Sequence, residues 1–232
     1  MAVNWVFNKI AVVSCAAVSL VIGISVFTSQ TLFSSDVAHS QSNSSIGKDQ
    51  IKQWIQAQSK EKNHYFEHLA FQEVNIDHDD DVEIAATLTG GTNIGSFFIF
   101  DKQKNEEYKL IAERKWKIDN LTVQEPATVI QDKKLYQIVY HSGGTGAHTK
   151  TVVLWYLDDN GNFVEAWEHP IKEISTFQDE YYAKISTFHI DGDYLYVFST
   201  EYKRPLDSTI TPQFTHTATM YKFNGTLFES AE

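Results

Sequence analysis

Between Val74 and Ile84 the chain reads Val-Asn-Ile-Asp-His-Asp-Asp-Asp-Val-Glu-Ile. Oxygen-bearing side chains stand at every second position: Asn75, Asp77, Asp79, Asp81 and Glu83. Calcium takes roughly six to eight oxygen ligands, and alternate residues of a tight loop aim their side chains at one centre. The acids Asp77, Asp79, Asp80, Asp81 and Glu83 also repel one another unless a cation neutralises them. The run points to a divalent-cation loop, with calcium as the cofactor it predicts; a solvated acidic turn is the alternative.

This stretch resembles the calcium loop of FG-GAP/VCBS-type repeats in surface proteins of Gram-positive bacteria. In that pattern alternating acids are followed by a glycine, then an acid and a buried strand. The resemblance implies Asn75, Asp77 and Asp79 as alternating ligands, Asp81 as the source of a backbone carbonyl, and Glu83 as the closing acid. Two positions depart from the pattern. Asn75 stands where Asp is usual, and Asp80 stands where glycine would ease the turn.

Two other patterns suggest chemistry. His64-Tyr-Phe-Glu67-His68 matches H-x-x-E-H, in which two histidines on one helical face hold zinc and the glutamate acts as base. Phe66, Leu69 and Phe71 lead straight into a strand, which leaves little helix for such a site, so two exposed histidines at a helix-to-strand junction are expected. A metal-dependent hydrolase using His64, Glu67 and His68 is the alternative function. The loop His141-Ser-Gly-Gly-Thr-Gly-Ala-His148 lacks the Lys-Ser/Thr pair and following helix of a phosphate cradle, and reads as a strand connection. With no catalytic constellation beyond these, a non-enzymatic role is expected.

The elements that must position these residues are mostly strands. Asp49 reads as a helix cap, and Ile51, Trp54 and Ile55 form one apolar stripe that Lys60–Asn63 brings to an end. Beyond Tyr65 come short β-branched and aromatic segments: Val82–Leu88, Ser96–Phe100, Leu135–Tyr140, Thr151–Leu157 and Tyr194–Phe198. Asp159-Asn-Gly-Asn162, Asp191-Gly-Asp193 and Asn224-Gly225 separate them as turns. No long amphipathic helix intervenes, so the expectation is an all-β antiparallel domain. Strand, glycine or polar loop, strand ending in Asp or Asn, turn, strand recurs three times at a period of about 54 residues. Such a unit is blade-like, and three copies suggest a partial propeller or a sheet folded on itself; convergent hairpins are the alternative. Trp116, Trp155 and Trp167 are expected in the core.

Ahead of this domain, residues 10–27 carry no charge and are long enough to cross a bilayer as a helix. Lys9 precedes them and no basic residue follows until Lys48, which places the N-terminus in the cytoplasm and the rest outside. Phe27-Thr28-Ser29 fails the small-residue rule for cleavage, so a retained anchor is favoured over a cleaved signal. Cys15 is the only cysteine and lies inside that apolar run, so the outer domain forms no internal disulfide. The expected order is therefore a cytoplasmic tail (1–9), an anchor or signal (10–27), a Ser/Gln/Asn-rich tether (28–47) and an extracytoplasmic β domain (48–232).

The 232 residues are 42% hydrophobic, 13% aromatic and 21% charged, which is globular composition. Nineteen basic against thirty acidic residues give a net charge of −11, the opposite of a nucleic-acid footprint. The expected function is a membrane-anchored, calcium-stabilised binding module of the bacterial cell surface, with a protein or glycan as partner.

Overall fold

The computed structural model describes residues 46–77, 79–90, 94–123, 125–177, 180–205, 209 and 211–231. These lie in the compact unit that spans residues 44–232. The tail, the apolar segment 10–27 and nearly all of the tether lie outside the described residues, as do Gly91, Thr92 and Asn93.

One helix, α1 (Lys48–Gln58), opens the domain. Ile51 and Ile55 are its buried residues, one turn apart, and Trp54 beside them stacks on Tyr108 with ring centroids 4.6 Å apart. The N-cap is Gly47, whose carbonyl accepts the N–H groups of Gln50 and Ile51, and no side chain caps the helix. Asp49 therefore does not cap, contrary to the sequence expectation. It lies in the first turn, where its charge still suits the positive end of the helix. The helix stops at Ser59, just before the expected Lys60–Asn63 run. Ser59 is buried and donates its hydroxyl to Glu113 Oε1 at 2.6 Å, which pulls the chain into an extended conformation.

The remaining elements are antiparallel strands in two sheets. The first sheet is a meander of β1 (Leu69–Val74), β2 (Glu83–Gly90), β3 (Ile94–Lys102) and β4 (Tyr108–Arg114). Strand β2 is buried on both faces from Glu83 to Leu88. Its Ile84, Ala86 and Leu88, with Phe98 and Phe100 of β3, pack on Ile51 and Ile55 of the helix. Its Ala85, with Phe97 and Ile99 of β3, faces the second sheet. Small residues at Ala85 and Ala86 let both neighbours approach, so this strand is continuously buried from Glu83 to Leu88 rather than alternating.

The second sheet holds eight strands in chain order: β5 (Thr128–Ile130), β6 (Lys133–Gly144), β7 (Ala147–Leu157), β8 (Phe163–Phe177), β9 (Glu180–Asp191), β10 (Tyr194–Pro205), β11 (Gln213–Phe223) and β12 (Phe228–Ser230). Tyr136, Ile138, Val153, Trp155 and Leu157 on one face of β6 and β7 join the core shared with the first sheet. The opposite face of those strands, through Leu135, Val152, Leu154 and Tyr156, meets Leu195 and Val197 of β10 with Phe223 and Phe228. One continuous sheet thus buries part of itself against another part. Such curling needs extra twist, and two register shifts in the β7–β8 ladder, at Lys150/Thr151 and Leu154/Trp155, sit where it is required.

The all-β antiparallel expectation holds, with a single helix among the described residues. Trp116, Trp155 and Trp167 are all buried, as expected. Strands β9 and most of β11 were not legible as strands because their outward faces are polar or exposed. Asp158 and Asn224 form the expected turns: Asp158 Oδ1 accepts the N–H groups of Asn160 and Asn162, and Asn224 Oδ1 those of Thr226 and Leu227. Gly143 and Gly144 end β6, and Thr145–Gly146 form the turn of a tight β6–β7 hairpin. Gly144 pairs with Ala147, and Gly146 takes φ +85°.

Candidate metal centre

The acidic loop joins β1 to β2, and its shape comes from its own side chains. Asp77 Oδ1 accepts the N–H of Asp79 at 3.0 Å, and Asp79 Oδ1 accepts that of Asp81 at 2.8 Å. Each is an i to i+2 Asx turn, so successive acids wind the backbone around one side. The Asn75 amide closes the loop by donating to the carbonyls of Asp79 and Asp81, at 2.5 and 3.1 Å.

This winding brings Asp77, Asp79 and Glu83 together: one carboxylate oxygen from each lies within 4.8 Å of the others. Among the described residues they are the only group of three or more His, Cys, Asp or Glu placed to hold a metal ion. Asp79 is exposed, Asp77 half-buried and Glu83 fully buried. Glu83 Oε2 accepts the N–H of Ile76 at 2.5 Å. Among the described residues Glu83 Oε1 is buried with no hydrogen-bond partner. A buried carboxylate oxygen without a donor costs free energy, and a cation would remove that cost.

The other two expected ligands do different work. Asn75 is held at both ends of its amide, since its Oδ1 accepts from Lys134 Nζ at 3.1 Å while its nitrogen closes the loop. The Asp81 carboxylate pairs with Lys102 at 3.0 Å, and its carbonyl accepts the Asn75 amide.

Strand β3 contributes an acid that the loop pattern did not single out. The β2–β3 register pairs Ile84 with Phe100, so its next step sets Glu83 beside Asp101. Burial raises the Asp101 pKa first, and the charges of Asp77, Asp79 and Asp81 raise it further. Burial likewise pushes Glu83 up to about 7, with Asp77, Asp79 and Asp101 adding to the rise. Asp77 is raised as well, chiefly by burial. Unit charges about 5 Å apart repel by roughly 3 kcal/mol at an effective dielectric of about 20, so the fully ionised cluster calls for a counter-charge.

The protein supplies part of one from β6. Lys134 Nζ donates to the Asp77 carbonyl and to Asn75 Oδ1, and the Tyr136 hydroxyl donates to the Asn75 carbonyl at 3.1 Å. The loop is thereby tied to the second sheet. Lys134 bonds neutral oxygens, so the carboxylate oxygens remain for another cation.

The H-x-x-E-H residues are not arranged for zinc. Residues 61–66 are irregular and 67–68 form a turn, so the helix that would present both histidines on one face is not there. His64 Nε2 hydrogen-bonds Ser59 Oγ at 2.7 Å, and its ring lies edge-on to Phe98. Glu67 and His68 are exposed.

No family model matches the chain, and no curated protein or solved structure is significantly similar to it. No helix among the described residues is long and apolar enough to cross a membrane.

Proposed function

We propose that the chain is a membrane-anchored, extracytoplasmic binding module whose β domain is stabilised by calcium at Asp77, Asp79 and Glu83. The observation that carries the metal reading is that Glu83, whose buried Oε1 has no donor among the described residues, brings a carboxylate oxygen within 4.8 Å of those of Asp77 and Asp79. Hard oxygen donors without nitrogen or sulfur suit calcium better than zinc. Loop backbone carbonyls and water would complete the shell.

A blade-like repeat of the FG-GAP/VCBS type groups the twelve strands as β1–β4, β5–β8 and β9–β12; the first run is a sheet of its own, and the other two are joined through the β8–β9 ladder in one eight-stranded sheet. Ile84 of β2 and Ile138 of β6 are both buried, the first against the helix and the second in the core between the sheets. The loops of such repeats are the surface offered to a protein or glycan at the cell surface, and the apolar segment 10–27 is the anchor. An acidic chain, charged −11, has no affinity for nucleic acid built into it.

Calcium titration tests this reading. A ligand that binds only the folded state stabilises it by about 2.7 kcal/mol at a hundredfold excess over Kd. Modules of this class bind at about 0.1–1 mM, so millimolar calcium should raise the melting temperature by several degrees. Asp77→Ala or Asp79→Ala should abolish the shift. If calcium leaves the parent unchanged while Asp77→Ala raises its melting temperature, the loop is an acidic turn and the metal reading fails.

A further inference from the structure

A cleft of about 730 Å³ lies at the opposite end of β2 from Glu83, a size typical of small-ligand sites. Leu88 and Gly90 of β2 and Ser96 of β3 line it, and the β2–β3 register pairs Leu88 with Ser96 on the face that carries the helix. Gly90 and Ser96 are small, so the sheet beyond the helix is left unfilled. The segment that follows the helix forms the other wall, through Asn63, His64 and Tyr65.

That wall is pinned by one buried serine. The Ser59 hydroxyl has a single proton and donates it to Glu113 Oε1 at 2.6 Å. Its oxygen therefore accepts from His64 Nε2 at 2.7 Å and from the Glu61 N–H at 3.1 Å. The Lys60 N–H completes the clamp, donating to Glu113 Oε2 at 2.9 Å. The His64 ring stands edge-on to Phe98 with centroids 5.5 Å apart. Both ends of the turn bearing Asn63 and Tyr65 are thus fixed to β3 and β4, and a wall ordered in advance saves the entropy of ordering it on binding.

The charges around the cleft are already matched. Lys115 pairs with Glu61 at 2.5 Å, Arg114 with Glu165 of β8, and Glu113 takes the bonds just described. An ionic ligand would have to displace one of these pairs, and a net charge of −11 further repels anions. What the cleft offers is neutral: the Asn63 amide, the Ser96 hydroxyl, and the ring and phenol of Tyr65, which is 58% exposed. Amides and hydroxyls donate and accept at once, and an aromatic ring gives a flat apolar face with a polar tip. A neutral sugar matches both, with hydroxyls around its rim and C–H groups across its face.

Resting on the binding-module reading above, we propose that this cleft holds a neutral saccharide unit of a cell-surface glycan, its C–H face on Tyr65 and its hydroxyls bonded to Asn63 and Ser96. Saturation-transfer NMR tests it on the full chain, in micelles of a detergent without sugar head groups. The probes are glucose, N-acetylglucosamine, cellobiose and chitobiose at millimolar concentration, with glucuronic acid and glucosamine as charged counterparts. At least one neutral sugar should receive saturation, strongest on the C–H protons of one ring face. Tyr65→Ala should weaken its binding about tenfold by removing the stacking face, and Asn63→Ala should weaken it as well. Both side chains are exposed, so the melting temperature should stay unchanged, and Val129→Ala on the distant strand β5 should leave binding intact. The proposal is overturned if no neutral sugar is saturated, if the signal survives both variants, or if only the charged sugars respond. Calcium stabilisation and membrane topology do not depend on Tyr65 or Asn63, so loss of those two readouts would count against the broader reading and not against this cleft.

Discussion

Glu83 and Ile76 share one hydrogen bond, from the Ile76 N–H to Glu83 Oε2 at 2.5 Å, and among the described residues it is the only one the buried carboxylate accepts. The bond fixes the first residue of β2 against the loop and leaves Oε1 buried without a donor among the described residues. A strand start with a buried, half-satisfied acid is a costly element of the fold unless something positive completes it.

The pH dependence follows from that cost. Burial lifts Glu83 from an ordinary 4.5 to about 7, so the folded state binds its proton more tightly than the unfolded state does. The stabilising contribution is therefore complete below about 4.5 and is lost as pH rises through about 7, on the order of 3 kcal/mol in all. In chelator, the melting temperature should fall between pH 5 and 8. Glu83→Gln should flatten that fall and abolish any calcium shift. A calcium-free profile that rises over this range would contradict the assignment.

Asp81 and Asp101 should respond differently to loss of charge. The Asp81 carboxylate is partly exposed and spent on Lys102, so Asp81→Asn should cost less than about 1 kcal/mol and leave calcium affinity nearly unchanged. Asp101 stands beside Glu83 in the β2–β3 register and feels the charges of Asp77 and Asp79, so Asp101→Asn should weaken calcium binding about fivefold while raising the calcium-free melting temperature. Isothermal titration of the two variants separates them, and equal losses would mean that Asp81 turns inward on binding.

Lys134 ties the loop to β6 through Asn75 and the Asp77 carbonyl. Lys134→Met should cost about 1–3 kcal/mol in chelator, because those oxygens lose a charged donor. Saturating calcium should recover most of the loss, since the ion supplies positive charge to the same loop. Denaturant unfolding with and without calcium measures both values.

The topology is tested in cells. Protease added to intact protoplasts should degrade the domain beyond Ser29 while the protein fractionates with membranes. A soluble form trimmed at its N-terminus, recovered as the main species, would show that residues 10–27 are a cleaved signal.

What could be read from residue order is local. The Asx turns at Asp77, Asp79, Asp158 and Asn224 link residues two to four apart, and the strands β2, β3, β6, β7 and β10 declare themselves by β-branched and aromatic runs. The helix was legible from Ile51 and Ile55, although its cap was not, because Gly47 caps by backbone alone. The convergence of Asp77, Asp79 and Glu83 follows from alternate spacing in one loop. The rest of the site depends on distant chain. Asp101 arrives through the β2–β3 register, and Lys134 and Tyr136 arrive 59 and 61 residues beyond Asn75 through the packing of two sheets. Whether Glu83 is buried or solvated is likewise decided only when Ala85 and its neighbours are covered by the second sheet. Charge spacing is a property of the chain, but desolvation and cross-sheet pairing exist only once the layers close over it, and those set the pKa and leave Oε1 without a donor.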